Sequence, residues 1–463
     1  MAPSARTSSL ATSGLVVGVD LATADARVAI ADAGGRVVAR SAAPLSPPHR
    51  PQPGISEQDA GSWWPAVVEA LQEALAGVEG RVAAVAVSAT SGTVVLADRR
   101  GGPVGPALLY DDGRVPATER WDWLLEQPGA QDAAVHAWHA SDLIVSRLIG
   151  GPPPTDWSHA LKTGYDPGSA RWTEAGESSD LRPEVVAPAS PVGTVSDRAA
   201  AETGLPPGCP VRLGMTDGCA AQVAAGADRP GRFVSVLGTT LVVKGATDDR
   251  LDDPASGLYS HRHPDGWWLP GGASNTGGGS LAKRCPKNEM ADLDRRAAAH
   301  GPATTVCYPL AGTGERFPFV VAEAEELWTA EPADRVDAYR AVLEGVAFVE
   351  RLAYERLDEL GARLEGPLRG AGAGRRSDVW TAIRATVLDR PIVRPESADT
   401  AFGACVLAAA GTVHESLRAA TDAMVATAGR MVDPEADERG RLEESYGRFV
   451  AAVAERGWLP LLA

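Results

Sequence analysis

Residues 14–41 read GLVVGVDLATADARVAIADAGGRVVARS, and the fold is decided in this stretch. The apolar run Leu15–Val19 stops at Asp20, and small and polar residues carry the chain into a second apolar stretch, Val28–Ile30. That stretch ends in Ala31, Asp32 and a Gly-Gly turn. The alternation predicts strands at 15–19, 27–32 and 36–41, with a carboxylate at the tip of the first just before the chain folds back.

Moving outward, WWPAVVEALQEALAGV has helical spacing and predicts a helix over about 60–77. RVAAVAVSATSGTVVLAD then reads as two apolar strands around a polar turn. Three strands, a helix and a strand make an α/β pattern with a mixed sheet. Residues 204–245 hold a strand at Val211–Gly214, a turn at Thr216-Asp217 and a small-residue helix, Gly218–Ala225. A second strand pair follows, Arg232–Leu237 and Leu241–Lys244, around Gly238-Thr239-Thr240. This repeats the opening layout and suggests an internal duplication. At 463 residues the chain exceeds one core, so the reading is a disordered tail over 1–13, a first domain over 14–228 and a second over 229–463. The second half adds a long amphipathic helix over 332–360, a Gly/Ala-rich turn RGAGAGRRSDVW, a small-residue helix FGACVLAAAG and a terminal helix over about 435–456.

Hydrophobic content of 44% and charged content of 22% are those of a soluble globular protein. A formal charge of -16 argues against a nucleic-acid partner, because polyanions are bound by basic faces. The five cysteines form no CxxC pair and read as reduced, buried thiols of a cytoplasmic protein. No apolar run reaches the roughly 18–20 residues of a membrane span. The eight histidines form no HxH or HExxH pattern, so no zinc site is expected.

Four places can carry chemistry. Asp20, with Thr23 three residues on, can hold Mg²⁺ through water and touch a terminal phosphate; taken alone, an Asp capping a turn is the commoner explanation. Gly238-Thr239-Thr240 can offer backbone N–H groups and hydroxyls to an anion, although Gly-Thr turns are ordinary. Asp217 can serve as a helix N-cap or as a general base. The RGAGAGRRSDVW turn permits close approach of a flat group beside Trp380, or merely joins a strand to a helix.

In chain order, GVDLAT, VAVSATSGTVVLAD, YDDGR, TDWSHALKTGYD, GLPPGCPVRLGMTDGCAA, VSVLGTT, YPLAGTGERFP, GAGRRSDVWTAI and FGACVLAAAG resemble the FGGY carbohydrate kinases from Leu15 to Gly411. The resemblance implies two ribonuclease-H-like domains of the actin/hexokinase superfamily with an interdomain cleft, sugar on the first and nucleotide on the second. It implies ATP and Mg²⁺ as cofactors, Asp217 as catalytic base, and Asp20 and Thr23 near the metal and γ-phosphate. Gly238, Thr239 and Thr240 would form the second phosphate motif. Ser91 and Asp112 would contact sugar hydroxyls, and Gly372, Gly374, Ser377, Trp380 and Gly403 would border the nucleotide. Ala22 and Ala373 depart from the glycines usual in the two phosphate and adenosine motifs. SATSG, ALKTGYD and GGASNTGG resemble the D-ribulokinase and xylulokinase-like branch, which puts D-ribulose ahead of D-xylulose as the sugar. Partners are then a small sugar and ATP, and a homodimer is compatible with the reading. A catalytically silent sugar or nucleotide sensor and an actin-like ATPase clamp are the rival readings. The clamp has no need of a base at Asp217.

Overall fold

The computed structural model describes residues 14–173, 176, 178–425 and 429–459; the expected tail over 1–13 lies outside them. The chain forms two compact units, one from residues 1–224 and 399–426, the other from 225–398 and 427–463. The first cut falls four residues before the expected boundary at 228/229. The return of 399–426 to the first unit departs from an unbroken second domain over 229–463.

In the first unit, β1 (Leu15–Leu21), β2 (Asp25–Ala31) and β3 (Val37–Pro44) form an antiparallel meander. β4 (Val82–Ala89) runs parallel to β1, β5 (Pro191–Thr194) forms the edge, and β6 (Pro210–Thr216) runs parallel to β4. The sheet order is β5-β6-β4-β1-β2-β3. Every residue of β1 is buried, as a central strand covered on both faces requires. Helix α1 (Trp63–Leu75) buries Trp63, Ala66, Val67, Ala70, Leu71 and Ala74 at i, i+3, i+4 spacing and packs on β2 and β3. The apolar run after β4 does not pair with it: Val94–Ala97 joins a separate four-stranded sheet, so residues 90–93 cross between sheets.

Helix α2 (Asp217–Ala224) leaves β6, and α6 (Thr400–Ala409) packs on β1 and α2. The close packing explains why the chain returns here. A Cβ on Gly18 would sit 2.0 Å from the Ala401 carbonyl oxygen, and one on Gly403 would sit 2.0 Å from that of Ala220. Only glycine lets these backbones meet.

In the second unit the order is β9-β10-β8-β7-β11-β12-β13. These strands are β7 (Phe233–Leu237), β8 (Leu241–Gly245), β9 (Tyr259–Arg262), β10 (Trp268–Ser274), β11 (Leu368–Ala371), β12 (Ile392–Arg394) and β13 (Arg430–Val432). β10, β8 and β7 form a meander, while β7, β11 and β12 run parallel, so five strands repeat the order and directions of β3-β2-β1-β4-β6. The duplicated hairpins thus extend to a duplicated sheet. Helix α3 (Arg335–Glu359) runs through this unit's core. It pins α4 (Asp378–Val387) through a buried Glu350–Arg384 pair at 2.6 and 2.7 Å. Helix α7 (Ala436–Glu455) ends the unit. No helix among the described residues is long and apolar enough to cross a membrane.

Candidate active site

Each repeated sheet carries its candidate residues at the C-terminal ends of its parallel strands, where ligands bind in open α/β sheets. In the first unit, Asp20 lies opposite Ser88 on β4, and Thr216 lies opposite Ala89. Asp20, the turn leading to Ser91, and Asp217 therefore share one edge.

Asp20 is 1% exposed; its Oδ1 has no hydrogen-bond partner and its Oδ2 lies 3.5 Å from Arg27 Nη1. Burial pushes its carboxyl up to about 7; Arg27 opposes this, and the charges of Asp217, Asp399 and Asp25 add to it. Asp20 and Asp217 thus feel one another's charge. Asp217 opens α2, and its Oδ1 accepts the Gly218 N–H at 2.8 Å. Its backbone is held from both sides: Ser158 Oγ accepts the Thr216 N–H at 2.9 Å, and Thr400 Oγ1 donates to the Asp217 carbonyl at 3.3 Å. Thr23 stands half-buried in the β1–β2 turn, with its carbonyl accepting from Gln58 Nε2.

Ser91 presents a buried Oγ without a hydrogen-bond partner. Asp112 differs from expectation. It is 2% exposed, with its carboxylate taken up by the Ser56 N–H and by Arg114, which also pairs with Glu57 at 2.7 Å. Burial alone would raise Asp112, but Arg114 and the Ser56 and Arg114 N–H groups outweigh it and hold the carboxyl low. Its geometry is that of an anchor for Arg114, not of a sugar contact.

In the second unit, Val236 of β7 lies opposite Ala371 of β11, so Gly238-Thr239-Thr240 and Gly372 leave the same edge. Thr239 is exposed and its neighbours half-buried. A second loop, Asn275–Gly279, props this turn: the Gly278 and Gly279 N–H groups donate to the Gly238 and Thr239 carbonyls at 2.9 Å. A Cβ on Gly278 would lie 2.7 Å from the Gly238 oxygen. Behind the loop, buried Glu315 accepts from Ser274 Oγ, the Asn275 N–H, Tyr308 Oη and the Arg316 N–H at 2.6–2.9 Å. Burial nonetheless raises the Glu315 carboxyl. Neither the loop nor Glu315 is among the residues expected at the site, although GGASNTGGG and YPLAGTGERFP held the signals.

Gly372 has φ +80°, and a Cβ there would lie 2.5 Å from the Leu237 oxygen; one on Gly374 would strike the Leu237 side chain at 2.6 Å. Both glycines let the β11–α4 turn lie against β7. Two neighbours of that turn are structural. Ser377 is the N-cap of α4, its Oγ accepting the Trp380 N–H. Trp380 is 4% exposed, within the core, and its Nε1 donates to the Leu343 carbonyl at 3.0 Å, so its ring does not border a nucleotide. Gly403 likewise serves the α6–α2 contact within the first unit. Ala22 and Ala373 are not in the left-handed region: among the described residues, the non-glycine residues with positive φ are Ala170, Ala189 and Asp389.

The donor set fits ATP with Mg²⁺. In the first unit an unpaired buried carboxylate oxygen on Asp20 suits a hard cation; in the second the Gly238 N–H donates to the Thr240 carbonyl at 3.0 Å, so what the turn offers an anion is the exposed Thr239. Among the described residues no three His, Cys, Asp or Glu side chains are arranged to hold a metal. Water and phosphate oxygens would complete the ion's shell.

Models of the FGGY family of carbohydrate kinases match this chain over residues 15–137 for the N-terminal domain and 233–412 for the C-terminal domain. The chain belongs to the FGGY family of carbohydrate kinases. It is thus an ATP-dependent sugar kinase with the two-domain, actin/hexokinase-like fold, and kinases of this family use ATP and Mg²⁺. It is 29% identical to a xylulose kinase of Streptomyces rubiginosus, with 97% of each chain covered. It is 28% identical to a glycerol kinase of Gloeobacter violaceus, over 87% of this chain and 89% of that one. The crystal structure of a xylulose kinase from Rhodospirillum rubrum superposes with a TM-score of 0.84 at 26% identity, covering 95% of this chain and 98% of that one.

Proposed function

We propose that this FGGY kinase phosphorylates the primary hydroxyl of a ketopentose, with D-xylulose ahead of D-ribulose. The order reverses the expectation from SATSG and ALKTGYD, because near-full-length relatives from Streptomyces rubiginosus and Rhodospirillum rubrum are named xylulose kinases. The observation that carries the chemistry is Asp217 on the same sheet edge as Asp20, its backbone clamped by Ser158 and Thr400. Bound ATP with Mg²⁺ supplies the phosphoryl group and screens its charge. Asp217 accepts the hydroxyl proton, Ser91 orients the sugar, Asp20 holds the metal through water, and the Gly238–Thr240 turn donates to phosphate oxygens. ATP and five buried cysteines outside any disulfide fit the cytoplasm.

The test is ADP release over D-xylulose, D-ribulose, L-xylulose, L-ribulose and glycerol, with wild type and Asp217→Ala. D-xylulose should give the highest kcat/KM, and Asp217→Ala should lower kcat by about 10³-fold with the fold intact. Retained turnover refutes the base, and a preference for glycerol refutes the ketopentose.

A further inference from the structure

Behind the first-unit edge lies a fully buried polar cluster that the reaction does not use directly. Asp156 caps the short helix Trp157–Ala160, and its carboxylate branches. Oδ1 accepts from Ser158 Oγ at 2.5 Å, and Ser158 Oγ in turn accepts the Thr216 N–H at 2.9 Å. Oδ2 accepts from His159 Nδ1 at 2.5 Å, and His159 Nε2 donates to the Ala89 carbonyl at 3.3 Å. Asp156, Ser158 and His159 are at most 1% exposed. One arm therefore ends on the residue before Asp217, and the other ends two residues before Ser91.

The two arms end where the sheet stops holding its own backbone. The β6–β4 ladder is irregular between Leu213 and Thr216, and the Met215 and Thr216 N–H groups go instead to the hydroxyls of Ser88 and Ser158. Burial opposes charge on both ring and carboxylate, yet their mutual attraction holds Asp156 low and raises His159. A second imidazole backs the pair: His139 meets Asp142, Thr155 and Thr163 and lies 5.7 Å from the His159 ring. A buried ion pair gains little stability over well-packed apolar side chains of the same volume. What this pair does have is a directed bond to each of the two functional turns.

We propose that Asp156 is a positioning residue whose Ser158 arm fixes the base Asp217 and whose His159 arm fixes the sugar-facing turn at Ser91. This rests on the roles proposed above for Asp217 and Ser91. The two arms should then read out in different constants. Misplacing the base lowers kcat, whereas misplacing a ground-state sugar contact raises KM.

The test is steady-state kinetics of the full-length enzyme, sugar varied at saturating ATP, alongside thermal unfolding. Ser158→Ala should lower kcat by about tenfold or more with the sugar KM within about twofold, and Ser158→Thr, which keeps the hydroxyl, should recover most of the loss. His159→Phe should raise the sugar KM about fivefold or more with kcat within about threefold, and His159→Gln, which keeps a donor, should recover part. Ser158→Ala with wild-type kcat, or loss of the same constant in both variants, overturns the proposal. So does a Ser158→Thr enzyme that folds yet is as slow as Ser158→Ala. Should His159→Phe not fold, His159→Gln and the Ser158 pair still decide it. Asp217→Ala assayed in parallel separates the failures. Activity there removes the base, while its inactivity beside an unimpaired Ser158→Ala removes only the positioning arm.

Discussion

Two sheets of one strand order end differently. The first unit's edge carries Asp20 and Asp217, with Asp399 and Asp25 close enough to feel, while the second carries Gly238, Thr239, Thr240 and the Gly372–Ser377 turn. A buried, hydrogen-bonded carboxylate stands behind each edge. Asp156 is met by an imidazole and held low, whereas Glu315 is met by four neutral donors and raised. At Glu315 the neutral donors do not offset burial, whereas at Asp156 the attraction of His159 does. On the proposed roles, one strand order thus ends in an edge that moves a proton and an edge that receives an anion.

The largest effect that would break this comparison is on Asp20. Its folded pKa of about 7 lies above the unfolded value of 3.8, so the nucleotide-free protein loses stability as pH rises between them. Asp20→Asn should therefore stabilise that form at pH 8 by up to about 4 kcal/mol, a gain that vanishes near pH 4, while activity falls. Denaturant titrations at both pH values check it; an equal effect at both would mean Asp20 is not strained by burial. Next, Gly403→Ala should destabilise by about 2–3 kcal/mol, because its methyl meets the Ala220 oxygen. Calorimetry reads that loss. Smaller again, Thr239→Asp would give the second edge the first edge's charge. It should raise the ATP KM by about 10- to 100-fold and leave the sugar KM nearly unchanged. The mildest is Glu315→Gln. Because burial raises the native carboxyl, the variant's stability relative to wild type should improve as pH rises past 4.5. A flat pH profile would show that the four donors fully offset burial.

Local pattern made much of this legible. Both hairpins, the helix after β6 and the small-residue helix at 400–409 have periods and turn chemistry that a window of residues displays. Which unit owns that last helix was not legible, because the answer lies in Gly18 meeting Ala401 across some 380 residues of chain. Trp380 beside a Gly-rich turn invites a nucleotide reading, and only the α3 carbonyl at Leu343 shows the ring to be core. Asp112 and Asp156 were both quoted in motifs, yet their partners at Arg114, Ser158 and Thr216 decide what each does. A polar residue's identity is local, while its satisfaction is not.

The return of residues 399–426 to the first unit also governs how the protein is made. β1 leaves the ribosome ahead of the helix that covers it, which is encoded more than 370 codons later. Until then the emerging sheet shows a bare apolar face to the cell. A fragment ending at residue 224 should accumulate in inclusion bodies, and co-expressing 399–426 as a separate peptide should bring it back into the supernatant.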